Sequence, residues 1–205
     1  MKKKIVLDKL FLFIPILILI TISLMNMYYV SLEDGYENYL FKQALWFGIG
    51  FIVLIIFTIL KPNIFFRYAK ILYLINVSLL ILVLFFGTTI NGSKAWFHFH
   101  YFSIQPSELM KFTLALYLSK VLANSKKGTM KQEFKVILKA LFITLIPSLF
   151  VFLEPDTGAI IIYFLIMLGM ILVYKINFKW YLILGIIVIL FLGIFGYLYY
   201  FNQDL

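Results

Sequence analysis

Long apolar runs broken by short polar connections most narrow what this chain can become. They cover Leu10 to Val30, Ala44 to Leu60, Ile71 to Gly87, Gln105 to Leu122, Val136 to Leu153, Thr157 to Tyr174 and Tyr181 to Phe201. A bilayer core about 30 Å thick asks for roughly 20 such residues per helix, and each run meets or approaches that length. Backbone amides in lipid must be satisfied within their own segment, and no period-two alternation points to a barrel. The runs therefore predict an all-α, polytopic integral membrane protein of about seven transmembrane helices, with residues 1–205 forming a single membrane domain. Composition agrees, since 64 % apolar and 13 % charged residues lie far from the makeup of a soluble domain.

The first run follows Lys2, Lys3, Lys4 and Lys9 and has no small-residue cleavage site after it. It reads as a retained span rather than a signal peptide. Further basic residues lie at Lys61, Arg67 and Lys70, then at Lys120, Lys126, Lys127, Lys131, Lys135 and Lys139, and finally at Lys175 and Lys179. All of these connections fall on one side of the predicted topology, which the positive-inside rule makes cytoplasmic. Glu33, Asp34, Glu37, Glu154 and Asp156 fall on the other side. The N-terminus is then inside, and residue 205 is outside.

A net charge of +9 invites a nucleic-acid partner. The basic residues are scattered through short juxtamembrane loops and form no continuous domain surface, so membrane lipids with anionic head groups are the expected partner and nucleic acid is not. Lys131, Lys135 and Lys139 share one helix face, which suits either a solvated, snorkelling surface or a partner. The absence of cysteine excludes disulfides, thiolate nucleophiles and cysteine zinc sites. Neither a nucleophile-and-base pattern nor a phosphate-binding glycine loop occurs.

Candidate site residues gather at the outer ends of the spans. The apolar part of the fourth run, Leu109 to Leu122, rises only about 21 Å as a helix, so a full crossing draws in Gln105, Pro106, Ser107 and Glu108. Pro106 suits a first helical turn, and Glu108 lies near the positive end of the helix dipole. Three-residue spacing puts Glu108 and Lys111 on one face, close enough to pair. Ionisable groups at a membrane edge are either a structural ion pair or part of a polar cavity, and spacing leaves both open.

Glu154-Pro155-Asp156-Thr157-Gly158 leaves only a short break between two spans, which reads as a tight outer turn in which Asp156 caps the next helix and Gly158 permits close packing. Its two carboxylates also suit a pairing with Lys94 or Lys111, or a divalent cation bridging to a phosphate. Between Thr88 and Ile104, Trp96 and its aromatic neighbours suit the membrane interface. His98 and His100 share a face if extended, although two histidines without a third ligand are a poor metal signal. Lys94 is an isolated outer lysine that suits either plain solvent exposure or an anionic head group.

Asn91-Gly92-Ser93-Lys94-Ala95-Trp96, Gln105-Pro106-Ser107-Glu108 with Lys111, and Glu154-Pro155-Asp156 with Gly158 follow one another between spans in an order that resembles the SEDS family, whose members include RodA, FtsW and SpoVE. The resemblance runs over essentially the whole chain and looks more like RodA than FtsW. It implies a peptidoglycan glycosyltransferase that polymerises lipid II on the outer face beside a class B penicillin-binding protein, a transpeptidase. Lipid II transport and a non-catalytic subunit of the wall-synthesis complex are the alternatives. Carried over, Lys94, Trp96, Gln105, Ser107, Glu108, Lys111, Glu154 and Asp156 become the substrate-binding residues. Family members often have arginine before the tryptophan; with Ala95 there, Lys94 becomes the candidate substitute. The family has about ten spans, with its presumed catalytic aspartate in an outer loop after the seventh. Asp204 lacks that surrounding motif, so the resemblance implies an N-terminal portion whose partner is a C-terminal SEDS half.

Overall fold

The computed structural model describes residues 2–34, 38–90, 92–99, 102–126, 128–183 and 185–186. Asn91, His100, Asp204 and most of the predicted seventh span lie outside the described residues, as do Glu37 and Lys127. The chain forms two compact units, residues 1–61 and 62–205.

The first unit is a helical hairpin of α1 (Lys2–Asp34) and α2 (Asn38–Ile59). Each carries an apolar stretch long enough to cross a membrane, Phe13–Leu32 and Tyr39–Ile59, and neither stretch buries any of its residues within the protein. Lipid is the natural solvent for such surfaces. Gln43 Nε2 donates to Ser23 Oγ at 3.2 Å, a polar tie between the two helices.

The second unit contains α3 (Pro62–Phe86), α4 (Pro106–Ala123), α5 (Met130–Leu153) and α6 (Thr157–Tyr174). Five helices in the described residues are long and apolar enough to span a bilayer, and α4 is not among them. Glu108, Lys111 and Lys120 dilute its apolar character. Its 18 residues still rise about 27 Å, close to the hydrocarbon thickness. It lies among α3, α5 and α6, and the fully buried Met110, Leu114 and Leu118 pack in the core with Leu80 and Tyr163. Neighbouring helices shield α4 from much of the lipid, which lets it tolerate charges at its ends.

Residues 178–183 are also helical. The predicted outer loop between α3 and α4 contains a small antiparallel sheet of β1 (Thr88–Ile90), β2 (Ser93–His98) and β3 (Ser103–Ile104), with β2 in the middle. Ile90 pairs with Ser93 across the turn, and Gly92 has φ +81°, a conformation that favours glycine. The all-α expectation holds for the membrane part and gains this sheet. Gly87 marks the exit from α3: a Cβ there would lie 2.3 Å from the carbonyl oxygen of Val83.

Local sequence accounts for the helix ends. Thr129 and Gln132 form a reciprocal capping box at the start of α5. Asp156 Oδ1 accepts from Ala159 N at 3.1 Å and caps α6, as its place in the turn predicts. Gly158 is not needed for close packing, because a Cβ there would meet only Asp156 Oδ1 at an ordinary 3.6 Å. Pro147 deprives the Ile143 carbonyl of its usual amide donor inside α5. The Tyr73 hydroxyl of α3 supplies the replacement at 2.7 Å.

Candidate functional site where α4, α5 and α6 meet the sheet

Three connections converge at one end of the second unit: the sheet, the start of α4 and the α5–α6 turn. Asp156 Oδ2 accepts from Gln105 Nε2 at 3.0 Å and lies 3.5 Å from Ser107 Oγ, while its other oxygen caps α6. One carboxylate thereby binds the N-termini of two helices, whose dipoles favour negative charge there. The Tyr163 hydroxyl donates to the Ser107 carbonyl at 2.8 Å and ties α6 to α4 below this cluster.

Glu154 has a different environment. It is fully buried, and neither carboxylate oxygen has a hydrogen-bond partner among the described residues. Its backbone carbonyl accepts from Ser93 Oγ of β2. Burial, and secondarily the nearby Asp156, push the Glu154 carboxyl up to about 8. The side chain is therefore mainly a neutral acid near neutral pH.

Glu108 and Lys111 pair as their spacing predicts, with Lys111 Nζ 2.6 Å from Glu108 Oε1. The pair is open rather than sealed among helices, with the Glu108 side chain 56 % exposed and that of Lys111 25 %. Pro106, Ser107 and Glu108 form the first turn of α4, so this carboxylate also faces the positive helix end.

Lys94 follows neither suggested pairing. Its Nζ donates to the Phe85 carbonyl at 3.1 Å, near the C-terminus of α3. Lysine is favoured at such an end because it meets unsatisfied carbonyls and the negative end of the dipole. Ala95 is fully buried on the opposite face of the strand, so Lys94 does not occupy the direction of residue 95. Among the described residues the only ion pair is Glu108–Lys111, and Glu154 and Asp156 pair with neither candidate lysine. Trp96 is half-buried in β2, and its carbonyl accepts from Thr88 Oγ1 at 3.1 Å.

No group of three or more His, Cys, Asp or Glu side chains gathers among the described residues in a way that suits a metal. His98 instead lies 2.7 Å from Ser103 Oγ through Nδ1. Two contributors absent from the sequence-based site are Ser93 and Tyr163. The Asn91-Gly92 dipeptide is a readable hairpin signal that would have placed Ser93 at a strand start. No local signal marks Tyr163, which lies in a uniformly apolar run.

A family model described as FtsW/RodA/SpoVE cell cycle protein matches residues 3–203. The chain belongs to this family. Relatives include a probable peptidoglycan glycosyltransferase FtsW of Wigglesworthia glossinidia brevipalpis, 34 % identical over 80 % of this chain and 45 % of the relative. A protein of the same description from Buchnera aphidicola subsp. Baizongia pistaciae is 35 % identical over 67 % of this chain and 37 % of its own length. The chain thus spans less than half the length of these two relatives. The crystal structure of the Thermus thermophilus rod shape determining protein RodA superposes with a TM-score of 0.63 at 25 % identity, covering 86 % of this chain and 58 % of that one. A chain from a peptidoglycan synthase complex, solved for its coordination of polymerization and crosslinking, reaches 0.69 at 24 % identity over 86 % of this chain and 52 % of that one, a likeness of fold alone.

Membership of the FtsW/RodA/SpoVE family makes this a multi-pass membrane protein. Of the predicted site residues, the fold joins Gln105, Ser107 and Asp156 in one cluster and Glu108 with Lys111 in the next turn of α4. Glu154 stays apart from the cations, and Lys94 serves the end of α3.

Proposed function

We propose that this chain forms part of a peptidoglycan glycosyltransferase that polymerises lipid II at the outer membrane face. The observation that carries this reading is the open Glu108–Lys111 pair, next in sequence to Ser107, which with Gln105 meets the Asp156 carboxylate at the N-termini of α4 and α6. An ion pair exposed to this degree contributes little to stability, about 0–1 kcal/mol, so its position is better explained by a ligand. Lys111 supplies a cation for the pyrophosphate of a lipid-linked sugar, and Glu108 accepts a hydrogen bond from a sugar hydroxyl. Gln105, Ser107 and Asp156 hold the first turn of α4 in place, with Trp96 and Lys94 at the rim. In the reaction an acceptor hydroxyl loses its proton to a base and attacks the anomeric carbon of the donor, whose polyprenyl pyrophosphate leaves.

Intramembrane charge gathered at this one end, at Glu108 and Lys111, supports an enzyme over a lipid II carrier, which needs a polar path through both leaflets. In the proposed orientation the N-terminus is cytoplasmic and the sheet is outside, with both units belonging to one membrane domain. A class B penicillin-binding protein and a C-terminal SEDS half are the partners that fit, given the share of its relatives that the chain spans. The test is polymerisation of lipid II by the complete protein carrying Glu108→Gln. A loss of tenfold or more with unchanged thermal stability is expected, and full activity would sink the proposed role of the pair.

A further inference from the structure

At the end of the second unit opposite the Glu108 pair, the last turns of α4 and α6 leave a cleft of about 380 Å³. Leu122, Met170 and Val173 make its apolar wall, with Ser125 and Tyr174 at one end. Val173 is 78 % exposed, so the cleft opens sideways to the bilayer. Lys126 directly follows Ser125 and Lys175 directly follows Tyr174, and both are exposed. The Tyr174 hydroxyl lies 3.4 Å from the Ser125 carbonyl, which brings the two lysine-bearing ends together.

We propose that this cleft binds an anionic phospholipid of the inner leaflet, with one acyl chain against the apolar wall and the phosphate between Lys126 and Lys175. The leaflet assignment rests on the orientation proposed above.

Three observations favour this occupant. Lys94, Lys111 and Lys120 donate respectively to Phe85 O, Glu108 Oε1 and Arg67 O. Among the described residues the ammonium groups of Lys126 and Lys175 meet no hydrogen-bond acceptor or carboxylate, which leaves them available to an outside anion. The lysines are also not required as helix caps. Asn124 N donates to the carbonyls of Leu122 and Lys120, and Lys175 N to those of Ile171 and Leu172. Two helix C-termini carry roughly half a negative charge each and the Glu133 carboxylate, which accepts from Asn177 N, adds one more, so the two lysines balance the negative charge at the mouth and present their ammonium groups on its exposed side. Finally, Lys175 adopts a left-handed conformation at φ 58°, where glycine is favoured. A local rule broken in this way marks a side chain kept for its charge. Basic pockets between helices on the cytoplasmic side are the expected seats of anionic head groups.

Native mass spectrometry of the purified protein in detergent, with phosphatidylglycerol or phosphatidylcholine added, tests this. Wild type should retain phosphatidylglycerol in preference to phosphatidylcholine. K126Q/K175G should weaken that binding by roughly thirtyfold, about fivefold per lysine. Its thermal midpoint should equal or exceed that of wild type, because glycine relieves the strain at position 175. Lys126→Glu leaves the α6 cap untouched and should lose binding by itself. K131Q/K135Q, on the exposed face of α5, should change binding less than twofold. Equal retention of the two lipids, unchanged affinity in Lys126→Glu, or equal loss in K131Q/K135Q would overturn the proposal. The assay reads neither polymerisation nor orientation, so failure of the Glu108 test leaves its outcome intact.

Discussion

Glu154 and Glu108 are carboxylates at the same end of one unit, yet their surroundings give them different properties. Glu154 is buried and its carboxylate has no hydrogen-bond partner among the described residues, so burial favours its protonated form and raises its pKa to about 8 from an ordinary 4.5. Between those two values the folded state binds more protons than the unfolded state, and stability falls as pH rises through that window. The stability contribution of the neutral acid is fully present below about 4.5 and lost above about 8. Glutamine at this position is neutral throughout. Glu154→Gln should therefore flatten the thermal midpoint between pH 5 and pH 8, with its advantage over wild type greatest at pH 8, as measured by detergent-phase melting. A wild-type midpoint that rises over this range would contradict the burial argument. Glu108 is open and paired, so Lys111→Met should alter stability by no more than about 1 kcal/mol while impairing substrate handling. Melting and polymerisation measured on the same preparation separate the two effects.

Helices α3 and α5 show how an element with a defect finds its partner. Pro147 orphans the Ile143 carbonyl, and Tyr73 reaches across to satisfy it. Tyr73→Phe should cost about 1–3 kcal/mol, the penalty for leaving a buried acceptor unmet. In a Pro147→Ala background residue 147 regains its amide and can serve that carbonyl itself, so the same Tyr73→Phe change should cost less than about 1 kcal/mol. A double-mutant cycle on melting free energies checks this, and equal costs in both backgrounds would refute the explanation. The proline was visible in the sequence, but its donor was not, because contact between residues 73 and 143 depends on helix packing. The helices themselves were legible from apolar length, down to α6 at Thr157–Tyr174. The sheet was obscured by reading its aromatic residues only as an interface belt. Asn91-Gly92 carried the missing information, since such a dipeptide is a hairpin signal and the strands on either side of it pair at Ile90 and Ser93.

For the molecule as a whole, charge placement was more legible than charge pairing. Spacing alone identified Glu108 with Lys111, because both lie on one helix. The ties from Asp156 to Gln105 and from Lys94 to Phe85 join separate elements and required the packed arrangement. The same distribution of charge predicts how the chain is inserted. Bringing the sheet to the inside would carry Lys131, Lys135, Lys139, Lys175 and Lys179 outward, against the bias that sets topology. The sequence has no cysteine, so each introduced one is a unique probe. Thr89 lies exposed in β1 and Lys131 exposed on α5. In intact cells with a permeable outer barrier, a membrane-impermeant maleimide should label Thr89→Cys and spare Lys131→Cys. In inverted vesicles the pattern should reverse. Labelling of Lys131→Cys from outside would place the Glu108–Lys111 pair on the cytoplasmic side, where an outward-facing polymerase has no use for it.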